Sequence, residues 1–163
     1  MKLSKLAGVA GALTFLLAVA AGAAENPQFP NLDRHGVILD GYDPVAFFTE
    51  GRPVPGLESI RSTYRGAIYQ FASSEHQALF EADPSKYEPQ FGAWCAYAVS
   101  QGRTAPIQIE TWSIVEGRLV LQHNAKAVAL WEKDPVKFLH LADEYWPAVV
   151  ANGGRQIEVD PKD

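Results

Sequence analysis

Cys95 is the only cysteine of the 163-residue chain and its first candidate for chemistry. It lies in the stretch 89–102, among Phe91, Trp94 and Tyr97, with Gly92 and Gly102 near the two ends. A thiolate is a soft ligand suited to Cu(I) or a similar metal, and thiol and imidazole donors together fit such an ion better than a four-ligand structural zinc site. His123 and His76 are the imidazoles that can join it. Alternation from Leu119 and Leu121 puts His123 on the apolar face of a strand. His76 precedes Leu79 and Phe80 by three and four residues, on the core side of a helix start.

Each of these residues also has a purely structural reading. A free cysteine is most often a buried small hydrophobe, and burial among aromatics raises its pKa. His123 can hydrogen-bond at a strand end, and His76 can sit half-buried beside a helix cap. His35 and His140 read as surface residues. A nucleophilic Cys95–His123 pair is a third option, but no spacing specifies one. The chain carries no G-x-S-x-G, H-E-x-x-H, Walker loop, Rossmann glycine set, C-x-x-C or C-x-x-C-H.

The beginning of the chain reads as a secretory leader. Lys2 and Lys5 precede an uncharged apolar run from Leu6 to Ala21, and the small residues Gly22, Ala23 and Ala24 follow. The run is short for a span of about 20 residues, so cleavage after Ala23 or Ala24 is expected rather than anchoring. Residues 1–24 are thus a signal peptide, and the mature chain is periplasmic or secreted with no stable membrane anchor. Loss of Lys2 and Lys5 takes the formal charge from −5 to −7 and leaves no basic cluster, which argues against nucleic acid as a partner. A lone thiol in an oxidising compartment is buried, paired with another molecule or bound to something.

Residues 25–40 form an irregular lead-in, with Pro27 and Pro30 stopping regular structure and a turn built on Asn31 or Asp33. Asp43-Pro44 starts a helix whose Val45, Phe47 and Phe48 enter the core. The strongest internal signal is a repeat at a spacing of 51 residues. It relates Gly66 to Gly117, Ala78-Leu79-Phe80-Glu81 to Ala129-Leu130-Trp131-Glu132, and Asp83-Pro84 to Asp134-Pro135. Each copy reads strand, glycine turn, strand, short helix, Asp-Pro and second helix, with Ser73 or Ser74 and Asn124 as N-caps. The strand faces disagree, since Gln70 pairs with Leu121 and Phe71 with Gln122. Either burial has diverged or one register is shifted by a residue. Residues 136–150 continue as an amphipathic helix weakened at its end by Pro147, and residues 151–163 read as a flexible tail. The expected fold is a small compact α+β domain of two β-hairpin–helix units with a C-terminal helix.

Residues 41–147 resemble the YHS-domain family, in a bacterial exported subgroup. The resemblance is carried by Gly41-Tyr42-Asp43-Pro44-Val45-Ala46, by Tyr64-Arg65-Gly66-Ala67-Ile68-Tyr69-Gln70-Phe71-Ala72-Ser73, and by Phe80-Glu81-Ala82-Asp83-Pro84-Ser85-Lys86-Tyr87. It implies a small α+β fold over residues 41–150 and kinship with domains to which a metal role is attributed through three cysteines. Those positions are Ala46, Ala72 and His76 here, so the family's cysteine site is not carried over. The repeat sets His123 opposite Ala72. The first functional expectation is therefore a binding domain that holds or hands on copper or another soft metal through Cys95 with His123 or His76. The alternative is an apo module whose aromatic segment binds an exported partner protein or a small organic ligand, with Cys95 as packing.

Overall fold

A computed structural model describes residues 28–159. The expected signal peptide lies outside the described residues, as do residues 160–163. The fold is α+β. Its element order is α1 (Ala46–Thr49), β1 (Leu57–Tyr64), β2 (Ala67–Phe71), α2 (Ser74–Ala82), α3 (Pro84–Tyr87), α4 (Ala96–Ser100), β3 (Trp112–Val115), β4 (Arg118–Leu121), α5 (Ala125–Trp131) and α6 (Pro135–Ala151). The strands make two separate antiparallel hairpins, β1–β2 and β3–β4.

Both hairpins turn on a residue pair with positive φ. Arg65 and Gly66 have φ of 47° and 79°, and Glu116 and Gly117 have 50° and 75°. Two successive left-handed residues give a turn whose twist matches that of the strands. The registers also agree: Tyr64 pairs with Ala67 and Arg61 with Gln70, as Val115 pairs with Arg118 and Trp112 with Leu121. The disagreement between strand faces is therefore one of burial. β2 alternates, with Ala67, Tyr69 and Phe71 buried, whereas Leu119, Val120 and Leu121 of β4 are all buried. Both faces of β4 are covered, Leu119 and Leu121 in the core with Phe47, Phe71 and Phe80 and Val120 against α6, so polar alternation is lost there.

The helices start where side chains can satisfy their first N–H groups. Ser73 accepts from the His76 N–H and Asn124 from the Ala127 N–H. Asp83 accepts from Lys86 and Asp134 from Lys137, each with proline at the next position. One core groups Phe47, Phe71, Phe80 and Leu119, and another sets Phe91, Val120 and Trp131 against α6. Burying each such side chain contributes roughly 1.5–3 kcal/mol.

The last helix runs through Pro147 to Ala151, one residue past its expected end, with Trp146 and Val149 buried on either side of the proline. Leu79 is 43 % exposed, so α2 meets the core through Phe80 alone rather than through a Leu79–Phe80 pair. The tail packs on the domain through residue 159. The Ile157 N–H donates to the Gly102 carbonyl, the Thr104 N–H to the Gly154 carbonyl, and Ile157 and Val159 pack on the α6 core.

Candidate functional site

The segment around Cys95 begins with a sharp turn in which Phe91, Gly92 and Ala93 have φ of 54°, 59° and 62°. Glycine is required in the middle, since a Cβ on Gly92 would stand 2.7 Å from the Phe29 carbonyl oxygen and 2.8 Å from Pro30 Cα. The lead-in crosses the turn at that point. The Asn31 N–H donates to the Gly92 carbonyl, the Trp94 indole N–H donates to the Phe29 carbonyl at 2.7 Å, and Phe29 stacks on Trp94.

Cys95 follows as the N-cap of α4. It is 1 % exposed and packs with Ala98 and Ala127. Its Sγ accepts from the Ala98 N–H at 3.4 Å, and the thiol donates to Gln122 Oε1, also at 3.4 Å. Burial pushes the thiol pKa up, against smaller opposing effects of the Ala98, His123 and Tyr97 N–H groups and of Arg103. Gln122 is itself buried and takes the Tyr97 N–H on the same oxygen, while its Nε2 has no partner among the described residues.

The structure does not bring the three proposed metal ligands together. His123 offers its backbone to Cys95, but its exposed imidazole is bonded through Nδ1 to the Pro106 carbonyl at 2.9 Å. His76 lies at the start of α2, its Nδ1 at 2.6 Å from Asp43 Oδ2 and its Nε2 at 3.4 Å from Thr49 Oγ1. Among the described residues there is no group of three or more His, Cys, Asp or Glu able to hold a metal ion. In the structure Cys95 is a buried cap, His123 a strand-end imidazole and His76 one half of a carboxylate–imidazole pair. His35 and His140 are exposed, as expected, beside Arg34 and Glu116.

Asp43 is fully buried and serves as a hub. Its Oδ1 accepts from the Val45 and Ala46 N–H groups, and its Oδ2 accepts from the Ala72 N–H and faces His76. The carboxylate ties α1, the end of β2 and α2 to one point.

A concavity lies elsewhere, in a groove of about 760 Å³ between the two hairpins. Its apolar wall includes Phe29, Pro30, Phe91 and Trp146, and its polar rim includes Arg65, Glu88, Gln90, Arg118 and Asp143. Arg118 is held on both sides: Nε and Nη2 donate to Gln90 Oε1, and Nη1 and Nη2 donate to the two Asp143 oxygens. Arg65 makes one bond, from Nη1 to Glu88 Oε1 at 2.7 Å, and its guanidinium lies over the Tyr64 ring. Burial pushes the Glu88 carboxyl up and Arg65 pulls it down. Tyr69 lines the groove at 3 % exposure, its phenol pushed well up by burial and then by Glu88. No side chain of Cys95, His76 or His123 lines this space.

Sequence reasoning reached the Pro89–Gly92 edge of the groove through the aromatic segment but missed Arg65, Tyr69, Glu88 and Arg118. The two arginines flank the hairpin glycines, which is a local signal. Their partners Glu88 and Asp143 are 23 and 25 residues away, and nothing in the sequence joins them. Comparison with family models, with curated proteins and with solved structures found no match.

Proposed function

We propose that this chain is a small exported binding module of YHS type, without catalytic chemistry of its own, that holds a small organic ligand in the groove between its hairpins. The observation that carries this reading is the groove itself. Its volume of about 760 Å³ falls in the range of small-molecule sites, and it combines an apolar wall with a few fixed polar groups. Export rests on the leader-like residues 1–24, and the YHS assignment rests on the motifs in residues 41–147. Copper or another soft metal is the weaker reading, because the thiol is enclosed and both imidazoles are engaged elsewhere.

The test is amide chemical-shift mapping of the protein from residue 25 onward against a library of small organic compounds. The reading expects ligands whose perturbed amides gather at Arg65, Tyr69, residues 89–92 and Arg118. Perturbations centred on Cys95 and Gln122, or none with any compound, would overturn it.

A further inference from the structure

Resting on the groove as the ligand site, we propose that its ligand is a small organic acid whose carboxylate is received by Arg65 and Tyr69, with its apolar body against Phe91 and Trp146. The two arginines differ in what they have left to give. A guanidinium has five N–H donors. Arg118 has four of its five donations placed on Gln90 and Asp143, which leaves one and no pair for a bidentate newcomer. Arg65 has one, to Glu88. Beside it stands the Tyr69 hydroxyl, in a residue 97 % buried, which lines the groove and has no hydrogen-bond partner among the described residues. That hydroxyl is not one of the fully enclosed side-chain atoms left without a partner, so it opens to the groove and is available to a ligand there.

One end of the groove therefore collects unspent donors: one fixed cation and one phenol that keeps its proton. The complement is an acceptor with several lone pairs and a negative charge, and a carboxylate accepts two parallel bonds from a guanidinium. Glu88 holds only Nη1 of Arg65, at 2.7 Å, and leaves the other donors of the guanidinium open. An amine would face Arg65, and the two carboxylates of the rim, Glu88 and Asp143, are already engaged by Arg65 and Arg118. The wall of Phe29, Phe91 and Trp146 calls for an aryl or alkyl body, not a bare inorganic anion.

The experiment titrates the protein with phenylacetate, benzoate and octanoate, and with the matching amides and amines, following groove amides by chemical-shift mapping. Arg65→Gln and Tyr69→Phe are run alongside, with melting curves to establish that both are folded. The expected result is that the acids bind at least about tenfold more tightly than their amides, and that each variant loses about that factor for acids only. Amides or amines that bind the groove as tightly as the acids, or variants that bind acids like the wild type, would overturn the carboxylate and leave the groove reading standing. No groove perturbation by any of the compounds would overturn both.

Discussion

Asp43 and Cys95 hold corresponding places beside the two hairpins. Each follows a turn of left-handed residues, Leu39-Asp40-Gly41 before Asp43 and Phe91-Gly92-Ala93 before Cys95. Each chain stretch then bridges its hairpin in parallel, Val37 to Ile68 and Pro89 to Leu119. Each side chain accepts an N–H from the short helix it opens, and each meets the backbone just past the strand, at Ala72 and at His123. The difference lies in what else surrounds them. Asp43 has His76 on the next helix, whereas Cys95 has Ala127 in that place and bonds the side-chain oxygen of Gln122. The thiol does with weak bonds what the carboxylate does with strong ones. That comparison explains a lone cysteine without any ligand.

The largest effect expected is from Asp43→Ala. It strands three backbone N–H groups and His76 in a dry site, and should cost roughly 3–5 kcal/mol in denaturant unfolding. A loss under about 1 kcal/mol would mean that water replaces the carboxylate and that the hub is not structural. Next comes a swap. Cys95→Asp alone puts a bare charge beside Ala127 and should destabilise by several kcal/mol. Ala127→His in the same chain should recover about 1 kcal/mol or more, read as coupling in a double-mutant cycle. No coupling would break the correspondence between the two places.

Gly92→Ala should cost about 1–3 kcal/mol, because the residue sits at φ 59° and its Cβ would strike the Phe29–Pro30 backbone. Its signature is faster exchange of the Asn31 amide, which donates across the turn. Cys95→Ala should cost about 1 kcal/mol, the scale of a small cavity. The smallest effect is on pH dependence. The folded thiol is raised above its ordinary value of 9.0, so its contribution is complete below that pH. It is lost as the pH rises further and the unfolded thiol ionises first. Stability should therefore fall less steeply above pH 9 in Cys95→Ala than in the wild type, with the Tyr69 contribution, of the same sign, left in both.

What was legible in the sequence was local. Asp-Pro pairs, Ser73, Asn124 and the hairpin glycines act through neighbours within four residues, so their caps and turns could be read directly. The burial of Cys95 could be read as one of two outcomes from its aromatic company. The pairing of His76 with Asp43 across 33 residues could not, although both had been singled out, one as a metal ligand and one as a cap. The packing of the tail was not legible, because Asn152-Gly153-Gly154 and polar neighbours suggest freedom. Two apolar residues, Ile157 and Val159, and a few backbone bonds hold it down. The groove was hidden because it is made by the approach of two hairpins, which no spacing encodes.

The claim that Cys95 is a structural counterpart of Asp43, and that binding belongs to the groove, is met most directly by an anaerobic Cu(I) titration against a competing chelator. Wild type and Cys95→Ser are compared under identical conditions. The account predicts the same weak uptake by both, with the thiol enclosed beneath Gln122. Tight, stoichiometric binding by the wild type that disappears in Cys95→Ser would contradict it and return the cysteine to the centre of the function.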